Sequence, residues 1–365
     1  MRKTTRAVMV GTAAAALLVS SFTLSASAAP EHPASHGKPR PPVADTLGSL
    51  GKRADLRIGT AVDMAALAAD APYRAKAAGE FTSVTPENVM KWEVVEKERG
   101  VYDWAAADEL VDFAGANGQL VRGHTLLWHN QLPAWLTEGD FGADELRAIL
   151  RKHITDEAGH FKGRIWQWDV VNEAFNDDGT LRDSIWLRKL GPGYIADAFR
   201  WAHRADPKAK LFINDYNIEG VNAKSTALYD LVVELRKQHV PIDGVGIQGH
   251  LSVQYNAPHD IADNMKRFDD LGLETAITEA DVRIPMPSDS TKQEAQAEGY
   301  DVLLRGCLLT RRCTDFTVWG FTDKYSWVPD TFEGEGAANL FDENYMAKPA
   351  YKALIQDLKL AAGRD

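Results

Sequence analysis

The sequence predicts a single (β/α)8 barrel, an α/β fold in which one parallel sheet closes on itself. Three observations support this prediction. Short runs of apolar and β-branched residues alternate with longer amphipathic stretches, eight of each kind occur, and together they extend over roughly 320 residues of the chain. Alternating strands and helices form right-handed β-α-β units, and eight such units close into a barrel.

The strand and helix candidates follow one another regularly. Strands are expected at Arg57–Val62, Phe81–Thr85, Leu120–Leu127, Ile165–Val171, Leu211–Asn214, Val245–Gln248, Thr275–Thr278 and Phe316–Phe321. Helices are expected at Ala65–Ala78, Ala105–Asn117, Ala143–His160, Gly193–Ala205, Asn222–Gln238, Ile261–Leu271, Gln293–Leu309 and Lys348–Leu360. An open doubly wound sheet is the alternative. It is disfavoured because Gly59–Asp63, at the end of the first strand, lacks the glycine spacing of a phosphate-binding turn.

The N-terminal region has the features of a secretory signal. Residues 1–29 combine basic residues within the first six positions, a mostly apolar run over Val8–Leu24 and a small-residue cleavage site at Ala26–Ser27–Ala28. A membrane anchor is the alternative, and the Gly, Ser and Thr residues of the run argue against it. We therefore expect a signal peptide over residues 1–29 and a secreted, extracellular protein.

After the signal, the composition distinguishes a short proline-rich segment from a long domain. Residues 30–44 are rich in proline and poor in apolar residues, so they are expected to form a linker or a disordered lead-in. Residues 45–361 are steady in composition and are expected to form the barrel domain, with no appended module. The formal net charge of −11 and the lack of a basic run argue against a nucleic-acid or anionic-membrane partner and favour a neutral substrate.

The chain has two cysteines, Cys307 and Cys313. In an oxidising compartment, two cysteines so close in sequence predict a disulfide that closes a short loop. Such a bond would add about 2 kcal/mol to stability by restricting the unfolded chain. Two buried free thiols are the alternative, and a metal site would need more ligands nearby.

Polar side chains follow seven of the eight predicted strands. They are Glu87, Asn88 and Lys91 after the second; His124, Trp128, His129 and Gln131 in and after the third; Asn172 and Glu173 after the fourth; Asp215, Tyr216 and Asn217 after the fifth; Gln248 and His250 after the sixth; Glu279 and Asp281 after the seventh; Trp319 and Trp327 at and after the eighth. Each of these taken singly has a structural explanation. Together they predict a site, because active sites of barrels lie at the C-terminal ends of the strands and buried polar groups must be paired or used.

The residue types at these strand ends indicate the chemistry. Two glutamates, Glu173 and Glu279, suggest paired carboxylates across a pocket, as glycoside hydrolysis requires. Polar groups beside indole rings suit sugars, which present a hydroxyl rim and flat C–H faces. A divalent metal could use Glu87, Asp215, Glu279 and Asp281, but the neighbouring tryptophans argue against a hard-ion site. We expect no metal and no cofactor.

Five motifs identify a resemblance. They are Glu87–Trp92, Gly123–His129, Trp168–Ala174, Gly246–His250 and Ile277–Asp281, and in combination they resemble glycoside hydrolase family 10, the secreted endo-1,4-β-xylanases, over Ala44–Leu360. The chain looks like an actinobacterial member with its signal peptide and without a xylan-binding module. The resemblance implies a (β/α)8 catalytic domain that cleaves internal β-1,4-xylosidic bonds of xylan, with retention, through a covalent glycosyl-enzyme intermediate.

The resemblance also implies residue roles, with Glu173 as acid/base and Glu279 as nucleophile. Retention requires carboxyl groups about 5–5.5 Å apart, and two carboxylates so close cannot both ionise cheaply. His250, held by Asp281, is expected to donate to Glu279 and keep it charged, so the proton is expected on Glu173. Asn172 is expected to bond the sugar 2-hydroxyl.

By the same resemblance, the remaining residues surround the xylan chain. Glu87, Asn88, Lys91, Gln131 and Trp319 are expected on the non-reducing side; His124, Trp128, Gln248 and Trp327 around the cleaved sugar; Tyr216 and Asn217 on the leaving side. The expected partners are xylan and xylo-oligosaccharides, and the expected state is a monomer. A β-1,4-glucanase or aryl-glycosidase specificity on the same site, or a secreted non-catalytic polysaccharide-binding protein, remain the alternatives.

Overall fold

The computed structural model of the protein describes residues 45–363, and these contain ten strands. They are β1 Arg57–Val62, β2 Ser83–Pro86, β3 Leu120–His124, β4 Gln167–Asn172, β5 Lys210–Asp215, β6 Gly244–Ile247, β7 His250–Ser252, β8 Glu274–Pro285, β9 Cys313–Val318 and β10 Glu335–Gly336. Eight of them, β1 to β6 with β8 and β9, are hydrogen-bonded in parallel in this order. The circle closes where β9 pairs with both β8 and β1, so the (β/α)8 barrel prediction is confirmed.

The same residues form fourteen α-helices and one 3-10 helix. They are α1 Leu47–Arg53, α2 Met64–Ala69, α3 Ala71–Glu80, α4 Trp92–Val95, α5 Ala105–Ala116, α6 Ala134–Thr137, α7 Ala143–His160, α8 Ile185–Leu190, α9 Tyr194–Ala205, α10 Ala223–Lys237, α11 Ile261–Asp270, α12 Ser290–Leu308, α13 Val328–Thr331 and α14 Pro349–Ala362, with the 3-10 helix at Asp323–Tyr325. Helices pack outside the strands, so β4 is buried along its whole length. Both faces of the sheet are covered, as a parallel sheet requires.

Close packing between neighbouring strands explains one glycine of the site motifs. Gly123 in β3 lies against Trp168 in β4, and a Cβ atom at position 123 would come within 2.2 Å of the indole. Trp168 is fully buried, so its ring cannot move aside. A side chain at position 123 would therefore disturb the two strands whose ends carry site residues.

Several predicted element bounds differ from the structure. The predicted helix at Ala65–Ala78 is two helices, α2 and α3, because Asp70 caps a new helix start whose second residue is Pro72. The predicted third strand, Leu120–Leu127, ends at His124, and the eighth is shifted to Cys313–Val318. The seventh predicted strand, Thr275–Thr278, continues to Pro285, because beyond the barrel β8 pairs with the short strands β7 and β10.

The predicted disulfide is present. Cys307, near the end of α12, is bonded to Cys313, the first residue of β9, with a Cα–Cα distance of 5.2 Å. It therefore closes a short loop at the N-terminal end of the last barrel strand, opposite to the end that carries the site residues.

Candidate active site

A cleft of about 1440 Å³ lies at the C-terminal ends of the barrel strands. Most of the strand-end residues predicted from the sequence line it, whereas His129, Asp215 and Asp281 do not. The lining members are Glu87, Asn88, Lys91, His124, Trp128, Gln131, Asn172, Glu173, Tyr216, Asn217, Gln248, His250, Glu279, Trp319 and Trp327. Residues separated by more than 200 positions in the sequence thus share one cavity. Glu173 and Glu279 both line this cleft, as two carboxylates that act on one bond must.

Glu173 is the first residue after β4, and three neutral donors hold its carboxylate. Trp128 Nε1 donates to Oε2 at 2.9 Å, while Gln248 Nε2 and Asn172 Nδ2 donate to Oε1 at 3.2 and 3.3 Å. The side chain is partly buried. Its backbone has φ = 59°, in the left-handed region that non-glycine residues rarely adopt. Such conformations cluster at functional sites, where the surrounding structure maintains them.

Glu279 lies inside β8 and is surrounded by cationic or ionisable groups. Its side chain is 4% exposed, His250 Nε2 lies 3.3 Å from Oε2, and Arg122 Nη2 lies 3.8 Å from Oε1. Burial alone would oppose ionisation, but His124, His250 and Arg122 outweigh it and lower the pKa of Glu279 to about 2. The side-chain hydrogen-bond donors of Glu173 are thus neutral, whereas the carboxylate of Glu279 also lies beside His250 and Arg122.

Asn214 in β5 connects the two glutamates through a chain of hydrogen bonds. Its Nδ2 donates to Glu279 Oε1 at 2.7 Å and to Asn172 Oδ1 at 2.8 Å. Asn172 in turn donates to Glu173. The amide of Asn214 is oriented by Thr278, whose hydroxyl donates to Asn214 Oδ1 at 2.7 Å. Both carboxylates therefore belong to one buried network that fixes their mutual position.

His250 lies between Glu279 and Asp281. Its Nδ1 lies 2.9 Å from Asp281 Oδ1, and Trp327 Nε1 donates to the other oxygen of that carboxylate at 2.7 Å. Burial lowers the pKa of His250, but Asp281 and Glu279 outweigh burial and raise the pKa to about 10. The imidazole is therefore a cation at neutral pH, held between two carboxylates.

Two groups beneath the cleft were missed by the sequence reasoning. Arg122 in β3 and Asp169 in β4 are both fully buried and form an ion pair inside the barrel. Asp169 Oδ2 also lies 2.8 Å from His124 Nδ1, and Arg122 Nη1 donates to the Thr278 carbonyl at 3.2 Å. The sequence did offer one sign of this pair, because Arg122 is a charged residue in the middle of an apolar strand. From this sign one could infer that Arg122 needs an acidic partner, but not that the partner is Asp169 or that the pair lies beside Glu279.

Polar groups line one arm of the cleft near Trp128. Lys91 Nζ donates to Asn88 Oδ1 at 3.1 Å and lies 5.1 Å from the centroid of the Trp128 ring. Gln131, with φ = 48°, donates to Asn88 and to Glu93. Burial lowers the pKa of Lys91 against the opposing effect of nearby glutamates. These donors and acceptors, together with an indole face, form a surface suited to sugar hydroxyls.

The opposite arm of the cleft is built on the turn after β5. Arg182 Nη2 donates to the Tyr216 hydroxyl at 2.8 Å, and its Nε donates to the Glu173 carbonyl at 2.9 Å. Asp215 forms a buried ion pair with Lys224 at 2.9 Å. Burial raises the pKa of Asp215 to about 7, although Lys224 opposes this shift. Asp215, considered in the sequence as a metal ligand, is thus a structural anchor of this turn.

One group of side chains within residues 45–363 has ligand atoms close enough for a metal ion. It consists of His124, Asp169 and Glu279, whose ligand atoms lie within 4.8 Å of one another. It shares only Glu279 with the set considered from the sequence. The Arg122 guanidinium contacts Asp169 and lies 3.8 Å from Glu279. The chain therefore already supplies the positive charge that these carboxylates need, and the donor set does not fit a metal centre.

A barrel with paired glutamates, amides and indoles along one open cleft has the composition of a glycoside hydrolase. The chain belongs to glycosyl hydrolase family 10, whose sequence profile matches residues 47–357. It is 46% identical over 312 residues to an endo-1,4-beta-xylanase of Agaricus bisporus, covering 85% of this chain and 93% of that protein. It is also 46% identical over 283 residues to endo-1,4-beta-xylanase B of Thermotoga neapolitana, covering 77% and 82%.

Solved structures show the same fold. The crystal structure of xylanase 10B from Thermotoga petrophila RKU-1 in complex with xylobiose superposes with a TM-score of 0.85 at 43% identity, covering 87% of this chain and 98% of that one. Native xylanase 10B from Thermotoga maritima gives a TM-score of 0.85 at 43% identity, covering 88% and 100%. These relatives are fungal and Thermotoga proteins, so the resemblance to actinobacterial members stays a prediction.

Proposed function

We propose that the protein is an endo-1,4-β-xylanase that hydrolyses internal bonds of xylan with retention of anomeric configuration. The observation that carries this proposal is the electrostatic difference between Glu173 and Glu279 within one cleft. Cationic groups keep Glu279 ionised as a nucleophile, whereas the hydrogen-bond donors of Glu173 are neutral. Membership of a family whose relatives are named endo-1,4-beta-xylanases supports the substrate class.

The reaction proceeds in two displacements. In the first, Glu279 attacks the anomeric carbon, the bond to the leaving oxygen breaks, and Glu173 transfers its proton to that oxygen. In the second, water attacks the same carbon, Glu173 takes a proton from this water, and the bond to Glu279 breaks. Asn172 bonds the sugar 2-hydroxyl, a contact that strengthens as positive charge develops on the ring.

The cleft binds the xylan chain on both sides of the cut. On the non-reducing side the sugars contact Glu87, Asn88, Lys91, Gln131 and Trp319; the cleaved sugar is enclosed by His124, Trp128, Gln248 and Trp327; the leaving side uses Tyr216 and Asn217. By the resemblance to the family, Gln131 and Trp327 wall the sugar pocket and leave little room for a hydroxymethyl group. The preference for xylose over glucose is therefore steric, and such effects are worth about 1–3 kcal/mol, so weak cellulase activity is expected.

The roles of the two glutamates are tested with substrates that differ in leaving group. Glu173→Ala should lose most activity on xylan but much less of the glycosylation rate on aryl xylosides whose leaving groups need no proton. Glu279→Ala should be inactive on both. The exposed Glu343 offers a matched control, and Glu343→Ala should behave as the wild type. Equal behaviour of Glu173→Ala and Glu279→Ala across leaving groups would show that the roles are assigned wrongly.

The stereochemistry and the specificity have their own measurements. NMR of the first product should show the β-anomer, and an α-anomer would rule out retention. Rates on xylan, carboxymethylcellulose and short xylosides separate a xylanase from a β-glucanase or an aryl-glycosidase. Failure of the wild type to release reducing sugar would favour a non-catalytic polysaccharide-binding protein.

The proposed function includes secretion, the bounds of the catalytic domain and the oligomeric state. The predicted signal peptide, residues 1–29, and the linker, residues 30–44, lie outside the described residues. No helix in residues 45–363 is long and apolar enough to cross a membrane. The enzyme is secreted, its catalytic domain comprises residues 45–361, and it acts as a monomer. The mass of the mature protein tests removal of the signal peptide, and sedimentation of the purified protein tests the monomeric state.

A further inference from the structure

Another glutamate of the cleft, Glu219, has no role in the mechanism above. It follows β5, lines the cleft and is 6% exposed. Its Oε1 accepts a hydrogen bond from the backbone N–H of Gly249 at 3.0 Å. Burial raises the pKa of Glu219, and hydrogen bonds from its own backbone N–H and from that of Gly249 oppose this shift. A carboxyl oxygen can accept this N–H in either protonation state.

Gly249 occupies the connection between β6 and β7, where the chain leaves the barrel sheet. Its φ is +78°, and its N–H donates to the side chain of Glu219. A Cβ atom at position 249 would meet Leu303 at 3.2 Å and Ile277 at 3.3 Å, so the connection is closely packed. The other backbone bonds of the connection go to barrel strands: the Gln248 N–H donates to the Asp215 carbonyl at 3.0 Å, and the carbonyls of Gln248 and Gly249 accept from the N–H groups of Glu279 and Asp281 at 2.9 and 3.4 Å.

The residues on either side of Gly249 contact the two different catalytic glutamates. Gln248 Nε2 donates to Glu173 Oε1 at 3.2 Å. His250 Nε2 lies 3.3 Å from Glu279 Oε2. A rotation of the backbone at Gly249 would move both side chains at once, because they are attached immediately before and after it.

Glu219 itself is held from outside the barrel. Asn264 of α11 is fully buried, and its Nδ2 donates to the carbonyl oxygens of Ile218 and Glu219 at 2.7 and 3.2 Å. Arg267 donates to Asn264 Oδ1 through Nε at 3.1 Å. A continuous series of bonds therefore runs from an outer helix to the connection at Gly249.

We propose that Glu219 is a positioning residue that fixes the Gln248–Gly249–His250 connection. It thereby positions both Gln248, which donates to the acid/base, and His250, which lies beside the nucleophile. This inference rests on the proposed function and deepens it, since it names one residue through which both halves of the reaction are aligned. Glu219 acts through Gly249 and makes no contact with the reacting atoms.

The test compares Glu219→Ala with Glu219→Gln. The alanine variant leaves the Gly249 N–H without its acceptor, so Gln248 and His250 are held less firmly, while the backbone bonds of the connection to the barrel strands remain. We expect kcat to fall about 10- to 100-fold, the cost of a displacement of about 1 Å in a catalytic site, with KM on xylan changed less than about 3-fold. Because an amide oxygen accepts the same bond, Glu219→Gln should restore kcat to within about 3-fold of the wild type.

The pH profile and the leaving-group dependence show whether both glutamates are affected. In Glu219→Ala the acidic limb of kcat/KM should move to higher pH, because His250 no longer stabilises the charged form of Glu279. The rate should fall on xylan and also on aryl glycosides with good leaving groups. Asp260→Ala is the matched control, since Asp260 accepts a backbone N–H from Val221 at 2.9 Å without a bond to the connection. It should leave the profile unchanged.

Four results would overturn the inference. The first is an unchanged pH profile in Glu219→Ala with only a lower melting temperature, and the second is a loss of rate confined to one class of leaving group. The third is an equal loss of kcat in the alanine and glutamine variants. The fourth is a rise in KM on xylan without a fall in kcat, which would indicate direct contact with sugar. Inactivity of the wild type on xylan would instead contradict the proposed function. The two failures are thus distinguishable.

Discussion

Replacing His250 by asparagine removes a positive charge beside Glu279 while keeping a side chain that can donate a hydrogen bond. At the observed separation of 3.3 Å, two unit charges interact by about 5 kcal/mol at an effective dielectric constant of about 20, which is an upper bound. Arg122 and His124 remain near the carboxylate after the substitution. We therefore expect the pKa of Glu279 to rise by about one to two units, which corresponds to about 1.4–2.7 kcal/mol.

The assay is the pH dependence of kcat/KM on a soluble xylo-oligosaccharide. The acidic limb reports ionisation of the nucleophile in the free enzyme. It should move upward from the region of pH 2, where the pKa of Glu279 lies in the wild type. His160→Asn is the matched control, because His160 also pairs with a carboxylate, Asp108 at 3.0 Å, on the exposed surface. An acidic limb that stays in place in His250→Asn would refute the electrostatic reasoning.

The same substitution should also change the unfolding free energy of the protein in a pH-dependent way. The folded-state pKa of His250, about 10, lies above its unfolded value, so its stabilising contribution is complete below about pH 6.5. It is lost as the pH rises through about 10. The difference in unfolding free energy between the wild type and His250→Asn should therefore be largest below about pH 6.5 and should shrink toward pH 10. Denaturant titration at several pH values measures this difference.

Three further predictions concern other parts of the molecule. Trp128→Phe removes the donor to Glu173 Oε2 and should lower kcat on xylan about 10-fold while hardly affecting aryl glycosides with good leaving groups. Replacing both Cys307 and Cys313 by alanine should lower unfolding free energy by about 2 kcal/mol in denaturant and leave kcat unchanged, since the loop lies at the opposite end of the barrel. Gln131→Ala should raise the ratio of cellulase to xylanase activity by up to about 100-fold.

The barrel and the polar residues at its strand ends could be predicted from the sequence because both depend on local patterns. Apolar runs that alternate with amphipathic stretches identify the strands, and Glu173 or Gln248 follow these strands directly. Strand bounds were less accurate where pairing continues outside the barrel. The sequence around Thr275–Thr278 gave no sign that β8 extends to Pro285, because its extra partners, β7 and β10, are three and two residues long.

The sequence by itself determined that this chain forms a closed barrel and that two glutamates meet at one end, since periodicity and residue type suffice for both conclusions. Only the tertiary structure showed that Arg122, Asn214 and Glu219 take part in holding these glutamates and their neighbours. Arg122, Asn214 and Glu219 reach the site from strand interiors and a loop, and their directions depend on how the strands and turns are set against one another. Contacts across the barrel join residues far apart in the chain, and no local pattern encodes them.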